Sequence, residues 1–111
     1  MADVAKTNGV KNASVAFAPE AIALTQTIVA SKDERMCIYV NNAQVGAVNT
    51  ITVVAGDGIC SVDGDYVVEI PQAESVVIGP LETARFINKA TGKITVTASV
   101  DTTTTIGVIQ L

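Results

Sequence analysis

From residue 21 onward, side-chain character alternates with a period of two, in short bursts separated by turn residues. "MCIYVNN" sets Met36, Ile38 and Val40 on one face and Cys37 and Tyr39 on the other. "KITVTASV" sets Ile94, Val96, Ala98 and Val100 against Thr95 and Thr97. "TITVVAGDG" gives Ile51 and Val53 a common face, "YVVEI" does so for Tyr66, Val68 and Ile70, and "AIALTQTIV" for Ile22, Leu24 and Ile28. Successive residues of a strand point to opposite sides, so this pattern specifies half-buried strands and not helices. The apolar residues are of the matching kind. There are 17 Val and 11 Ile against 3 Leu, with 13 Thr in addition, and branching at Cβ suits a pleated surface better than a helix.

Breaks fall every 8 to 12 residues: "SKDER", "AQVGAVN", the Asp-Gly-rich "GDGICSVDGDY", Pro71, "NKATG" and "DTTTT". With "ESVVI" and the closing "IGVIQL", the spacing predicts about eight short strands. That makes an all-β fold, a single β-sandwich or small jelly-roll-like barrel over residues 21–111. A chain of 111 residues has room for one such domain. Residues 1–20 mix Lys, Asn, Ser, Gly and Ala without strong period and read as a flexible N-terminal arm. "APEAIAL" supplies one helical turn at most. "IGPLETARF" reads as a corner, because Gly79 and Pro80 cannot both continue a central ladder. The chain is expected to leave one sheet at Ile78 and join the other near Thr83. Leu81, Ala84 and Phe86 then face inward, and Glu82, Thr83 and Arg85 stay wet.

Several functions are excluded on composition. No apolar run approaches the roughly 20 residues of a membrane span, and "MADVAKTNGVKNAS" lacks the apolar core of a secretory signal. Synthesis and retention in a cytoplasm are therefore expected, and the "NAS" sequon at 12–14 carries no glycan. The net charge is −4, with no Lys or Arg between Arg35 and Arg85, while Arg85, Lys89 and Lys93 form a small basic cluster. Nucleic-acid binding needs clustered cations and stacking aromatics, and Phe17, Tyr39, Tyr66 and Phe86 are the only aromatics. The chain has no His, which removes the commonest general base and metal ligand. Cys37 and Cys60 lie in strand-like stretches without a CxxC pattern and read as small core residues, unpaired in a reducing compartment.

Three acidic groupings remain. Asp57, Asp63 and Asp65 are oxygen donors of the type Ca²⁺ takes, but the alternating pattern of a calcium loop is not met, and solvated turns account for them. Glu69 and Glu74 flank Pro71, yet a glycosidase pair comes with a cleft and aromatic platforms that this chain lacks. Glu82 and Arg85 form a close pair that either sits in solvent or bridges to another subunit. The residues thus call for no cofactor, no metal and no catalysis.

Taken in order, "SKDERMCIYVNNA", "TITVVAGDG", "IGPLETARF", "GKITVTAS" and a terminal "GVIQL" resemble small β-rich structural proteins encoded in the head-morphogenesis region of tailed bacteriophages and prophages. The positions that carry the resemblance are Asp33, Ile38, Val40 and Asn41, then 52–57, 78–86 without Thr83, and 92–96. It covers roughly residues 31–111, and "GPLE-x-ARF" is its most specific string; the cysteines are not part of it. Such proteins are similar in size and composition to capsid decoration (cement) proteins. The resemblance implies a non-enzymatic virion protein on the capsid surface, assembled in the host cytoplasm. Its partners would be the major capsid protein and copies of itself, a trimer at local threefold positions being one arrangement. The expected contact residues are Lys6, Lys11, Phe17 and Pro19 of the arm and Gly79, Pro80, Leu81, Glu82 and Arg85 of the corner. The competing readings are a neck, tail or fibre-base component and a carbohydrate-binding β-sandwich.

Overall fold

Apolar faces that alternate along short strands can be buried only by stacking one sheet on another, and the computed structural model of the chain has this architecture. Its described residues are 3–4, 6–9, 14–29, 36–57, 64–81 and 83–110. In chain order the elements are β1 (Lys6–Asn8), β2 (Glu20–Ala21), β3 (Thr25–Val29), β4 (Met36–Asn42), β5 (Asn49–Val53), β6 (Tyr66–Ile70), β7 (Glu74–Ile78), the single helical turn α1 (Thr83–Phe86), β8 (Ile87–Asn88), β9 (Lys93–Ala98) and β10 (Thr104–Gln110). One five-stranded sheet has the order β1-β10-β4-β7, with β2 also on β10. The other has the order β3-β9-β5-β6, with β8 also on β9. All pairings between strands are antiparallel except β1 with β10.

The core follows the expected alternation. Met36, Ile38, Val40, Ile51, Val53, Ile94, Val96, Ile106 and Val108 are each no more than 1% exposed, while Cys37, Tyr39, Thr95 and Thr97 lie on outer faces, half-buried. Leu24 departs from its expected place: it precedes β3 and is 51% exposed. Because β3 starts at Thr25, the inward partner of Ile28 is Gln26, which pairs with Val96 in register. The Gln26 side chain accepts from the Ala23 amide (2.9 Å) and donates to the Val96 carbonyl (3.3 Å), which makes its burial tolerable.

The N-terminal residues are less arm-like than their composition suggests. Val4 is buried, and its amide donates to the Thr27 carbonyl (2.9 Å) on the β3 edge. Lys6–Asn8 then runs parallel to residues 108–110 of β10 in the opposite sheet. The segment straps both sheets along one side of the sandwich. Asp3 accepts from the Thr27 hydroxyl and forms an ion pair with Lys93 Nζ at 3.0 Å. Backbone pairing, not side-chain period, holds this strap, so alternation could not reveal it. "APEAIAL" likewise forms no helical turn: Glu20 and Ala21 extend along β10 as β2.

The sandwich has two unlike ends. At one, Asn42 and Asn49 are fully buried. Asn42 Nδ2, in the first sheet, donates to the carbonyls of Ile70 (3.0 Å) and Ala47 (3.1 Å), and Gln44 donates to Asn42 Oδ1 through its side chain (3.0 Å). Asn49 Nδ2, in the second sheet, donates to the Val100 carbonyl (2.8 Å) and to Thr104 Oγ1 of β10 (3.1 Å). Polar side chains therefore clamp the two sheets together and satisfy the loops that meet there. The other end is closed by the corner after β7.

Candidate functional site

The corner is built from Ile78 onward. Gly79 has φ +122, and a Cβ there would lie 3.0 Å from the Met36 carbonyl oxygen and 3.3 Å from Cys37 Cα, both backbone. Only glycine suits that position. The Gly79–Pro80 bond is cis. Leu81 is buried, and its amide donates to the Met36 carbonyl (3.1 Å), which anchors the crossing to the start of β4. The α1 turn follows, then β8 pairs with β9 in the second sheet. The expected change of sheets between Ile78 and the region of Thr83 is thus present. It is made through a helical turn in place of an immediate strand. Phe86 is buried as expected. Glu82 and the side chains of Thr83 and Ala84 lie outside the described residues.

Arg85 gives this corner its chemical character. Its Nε donates to the Gly64 carbonyl (3.3 Å), and its guanidinium carbon stands 4.8 Å from the Phe86 ring centroid and 6.0 Å from that of Tyr66. A guanidinium held against aromatic faces is favourable and leaves a planar cation at a surface. Tyr66, Gly79, Pro80, Leu81, Arg85 and Phe86 together line an open cavity of about 210 Å³. Four of the expected contact residues therefore share one wall. Tyr66 was legible only as a strand residue, and it enters the site because β6 begins beside the corner. The signal available in the sequence was scarcity. Of four aromatics, two flank Arg85, and the other two, Phe17 and Tyr39, meet edge-on at 5.6 Å between centroids.

The arm residues form a separate group. Lys6, Val108, Ile38 and Ile78 lie in one row across the first sheet. Lys6 is thus three strand spacings, about 14 Å, from the residue that opens the corner. Phe17 is half-buried over Gly107 on the outer face of β10, where a side chain at 107 would collide with its ring. Pro19 is half-exposed just before β2, and Lys11 lies outside the described residues.

Of the other acidic groupings, the two described aspartates have structural partners. Asp57 Oδ1 accepts from the Lys89 amide (3.0 Å) and Asp65 Oδ1 from the Ala55 amide (2.6 Å), while Asp63 lies outside the described residues. Glu69 and Glu74 sit on β6 and β7, in different sheets. Arg85 and Lys93 have separate partners, so the basic residues do not act as one cluster. Among the described residues no three His, Cys, Asp or Glu gather as metal ligands, and no helix is long and apolar enough to cross a membrane. Cys37 is a free thiol, and Cys60 lies outside the described residues. The Thr27 hydroxyl, then the Lys93 ammonium, hold the Asp3 carboxyl below the usual range.

Among the described residues, nothing pairs with the outer edges of the strands along one side of the sandwich. Among the described residues β6 pairs only with β5 and β7 only with β4, so each offers an edge. Val67 is 55% exposed and Val77 is 60% exposed beside these edges. Comparison of the chain with protein-family models, with curated proteins and with solved structures gives no match.

Proposed function

We propose that this chain is a non-enzymatic virion protein that decorates the outside of a phage head in many copies and stabilises the joints between capsomers. The observation that carries the reading is the side of the sandwich left unpaired among the described residues. Two strand edges lie there with Val67, Val77 and half-exposed Tyr66. A long apolar edge is a liability unless something docks on it. Of the strings that resemble phage head-region proteins, "IGPLETARF" runs through this side, spanning the end of β7 and the corner. The buried amides Asn42 and Asn49 are engaged in the clamp between the sheets, an arrangement that suits a structural subunit. Many copies on a symmetric shell multiply a modest contact into firm attachment.

Cosedimentation tests the proposal. Purified protein should pellet with expanded, empty heads at a copy number comparable to that of the major capsid protein, and should not pellet with isolated tails. Retention on tails with none on heads would assign it to the neck or tail. Calcium-dependent retention on a glycan array would move it to the carbohydrate-binding class.

A further inference from the structure

We propose that Asn8–Gly9 is a site of spontaneous deamidation gated by the N-terminal strap, the ring-closing step proceeding only while β1 is detached from β10. The chain contains a single Asn-Gly pair, and it falls at the end of β1 with both residues exposed. The chemistry needs no enzyme. The Gly9 nitrogen gives its proton to a solvent base and attacks Asn8 Cγ. The new N–Cγ bond displaces Nδ2, which takes a proton from water and leaves as ammonia, and a cyclic succinimide results. Water then opens the ring. Attack at Cγ leaves aspartate with the normal backbone, and attack at the carbonyl carbon of residue 8 leaves isoaspartate, with the main chain rerouted through the side chain. Glycine places no Cβ beside the attacking nitrogen, whereas the residues that follow Asn12, Asn41, Asn42, Asn49 and Asn88 all carry side chains.

The closed strap withholds the nucleophile. Asn8 pairs with Gln110 in parallel register, and the Gly9 amide donates to the Gln110 carbonyl at 2.7 Å. In a parallel strand, ψ near about +115° turns the next nitrogen away from the residue's own side chain. β1 must leave that conformation before the Gly9 nitrogen can reach Cγ. The strap is built to open by itself. β1 has three residues at the margin of its sheet. Its hold on the second sheet consists of buried Val4, the Val4 amide on the Thr27 carbonyl (2.9 Å), and the Asp3 carboxylate on Thr27 and Lys93. Short marginal segments of this kind open far more often than a whole domain unfolds. The isoaspartate product is not neutral for the strap. An extra main-chain carbon after position 8 takes the Gly9 amide out of register with the Gln110 carbonyl, so a strap that has reacted pairs again less firmly.

Peptide mapping by mass spectrometry of the purified full chain, aged at one neutral pH, provides the test, with a synthetic peptide of residues 3–12 as the ungated reference. Asn8 in the folded chain should convert at least about tenfold more slowly than in the peptide. Val4→Ala removes a buried anchor and should raise the folded rate about tenfold. Asp3→Ala leaves the core untouched and should raise it about threefold. Protection of the β4 amides should stay unchanged in both variants, which separates strap opening from global unfolding. The isolated isoaspartate form should exchange its Val4 and Gly9 amides faster than the unreacted chain. Conversion of the folded chain at the peptide's rate, equal rates in the parent chain and both variants, or unaltered exchange after isoaspartate formation would overturn the inference.

Discussion

The two ends of the sandwich solve the same problem by opposite means. Both must join one sheet to the other and satisfy the backbone groups exposed where strands stop. The Asn42–Asn49 end does so with buried amides that reach across to loop carbonyls. The corner end does so with a conformation, since Gly79 lets the backbone pass close to Met36 and Leu81 plugs the gap. The first solution is filled and specific. The second leaves a cavity with a cation at its wall. An end closed by hydrogen bonds leaves no hollow between the sheets, whereas an end closed by a backbone crossing retains a concavity with a cation at its wall.

The sharpest way to break this contrast is to remove an amide. Asn42→Ala leaves the Ile70 and Ala47 carbonyls without their donor and should cost about 3 kcal/mol, read from the midpoint of urea unfolding at unchanged slope. Gly79→Ala should cost about 2 kcal/mol, because the new methyl meets fixed backbone at positive φ. In an amide-resolved spectrum its perturbations should centre on Met36, Cys37 and Leu81 and spare the Asn end. Arg85→Gln removes the guanidinium from its two rings and should cost under about 1 kcal/mol, with a change in Tyr66 fluorescence as the local readout. If Arg85→Gln proved as damaging as Asn42→Ala, the corner would be a second structural clamp, and the contrast would collapse.

The smallest effect concerns the strap. Asp3 titrates below its usual range, so its contribution is present above the unfolded carboxylate value and is lost as pH falls through the lowered folded value. Below about pH 4, exchange of the Val4 and Gly9 amides, corrected for intrinsic rates, should accelerate while β4 stays protected. In Asp3→Asn this pH dependence should disappear.

What was legible in the sequence was whatever side-chain alternation encodes. The inward faces of β4, β5 and β9 follow from it, and so does the change of sheets at Gly79–Pro80, since those two residues forbid a continued ladder. Three things were not legible. The strap and β2 are held by main-chain pairing, which mixed polar residues do not advertise. Gln26 took the inward place beside Ile28 because strand onset fell at Thr25, after Leu24. Asn42 ends "MCIYVNN" and Asn49 ends the break "AQVGAVN", and only the meeting of three loops shows that each is an internal brace. At the corner, Gly79, Pro80, Leu81 and Arg85 could be picked out one by one. Their assembly with Tyr66 into a single concavity depends on where β6 begins relative to α1.

The order of strands has a consequence for synthesis. One interior position of each sheet is filled late: β9 lies between β3 and β5, and β10 between β1 and β4. A nascent chain that has emerged only as far as residue 92 can pair β4 with β7 and β5 with β6 but cannot join those pairs to β1 or β3. Neither layer can close while residues 93–110 are still inside the ribosome. Such long-range pairing also slows assembly. The complete sandwich is therefore expected to become protease-resistant only once both β9 and β10 have paired.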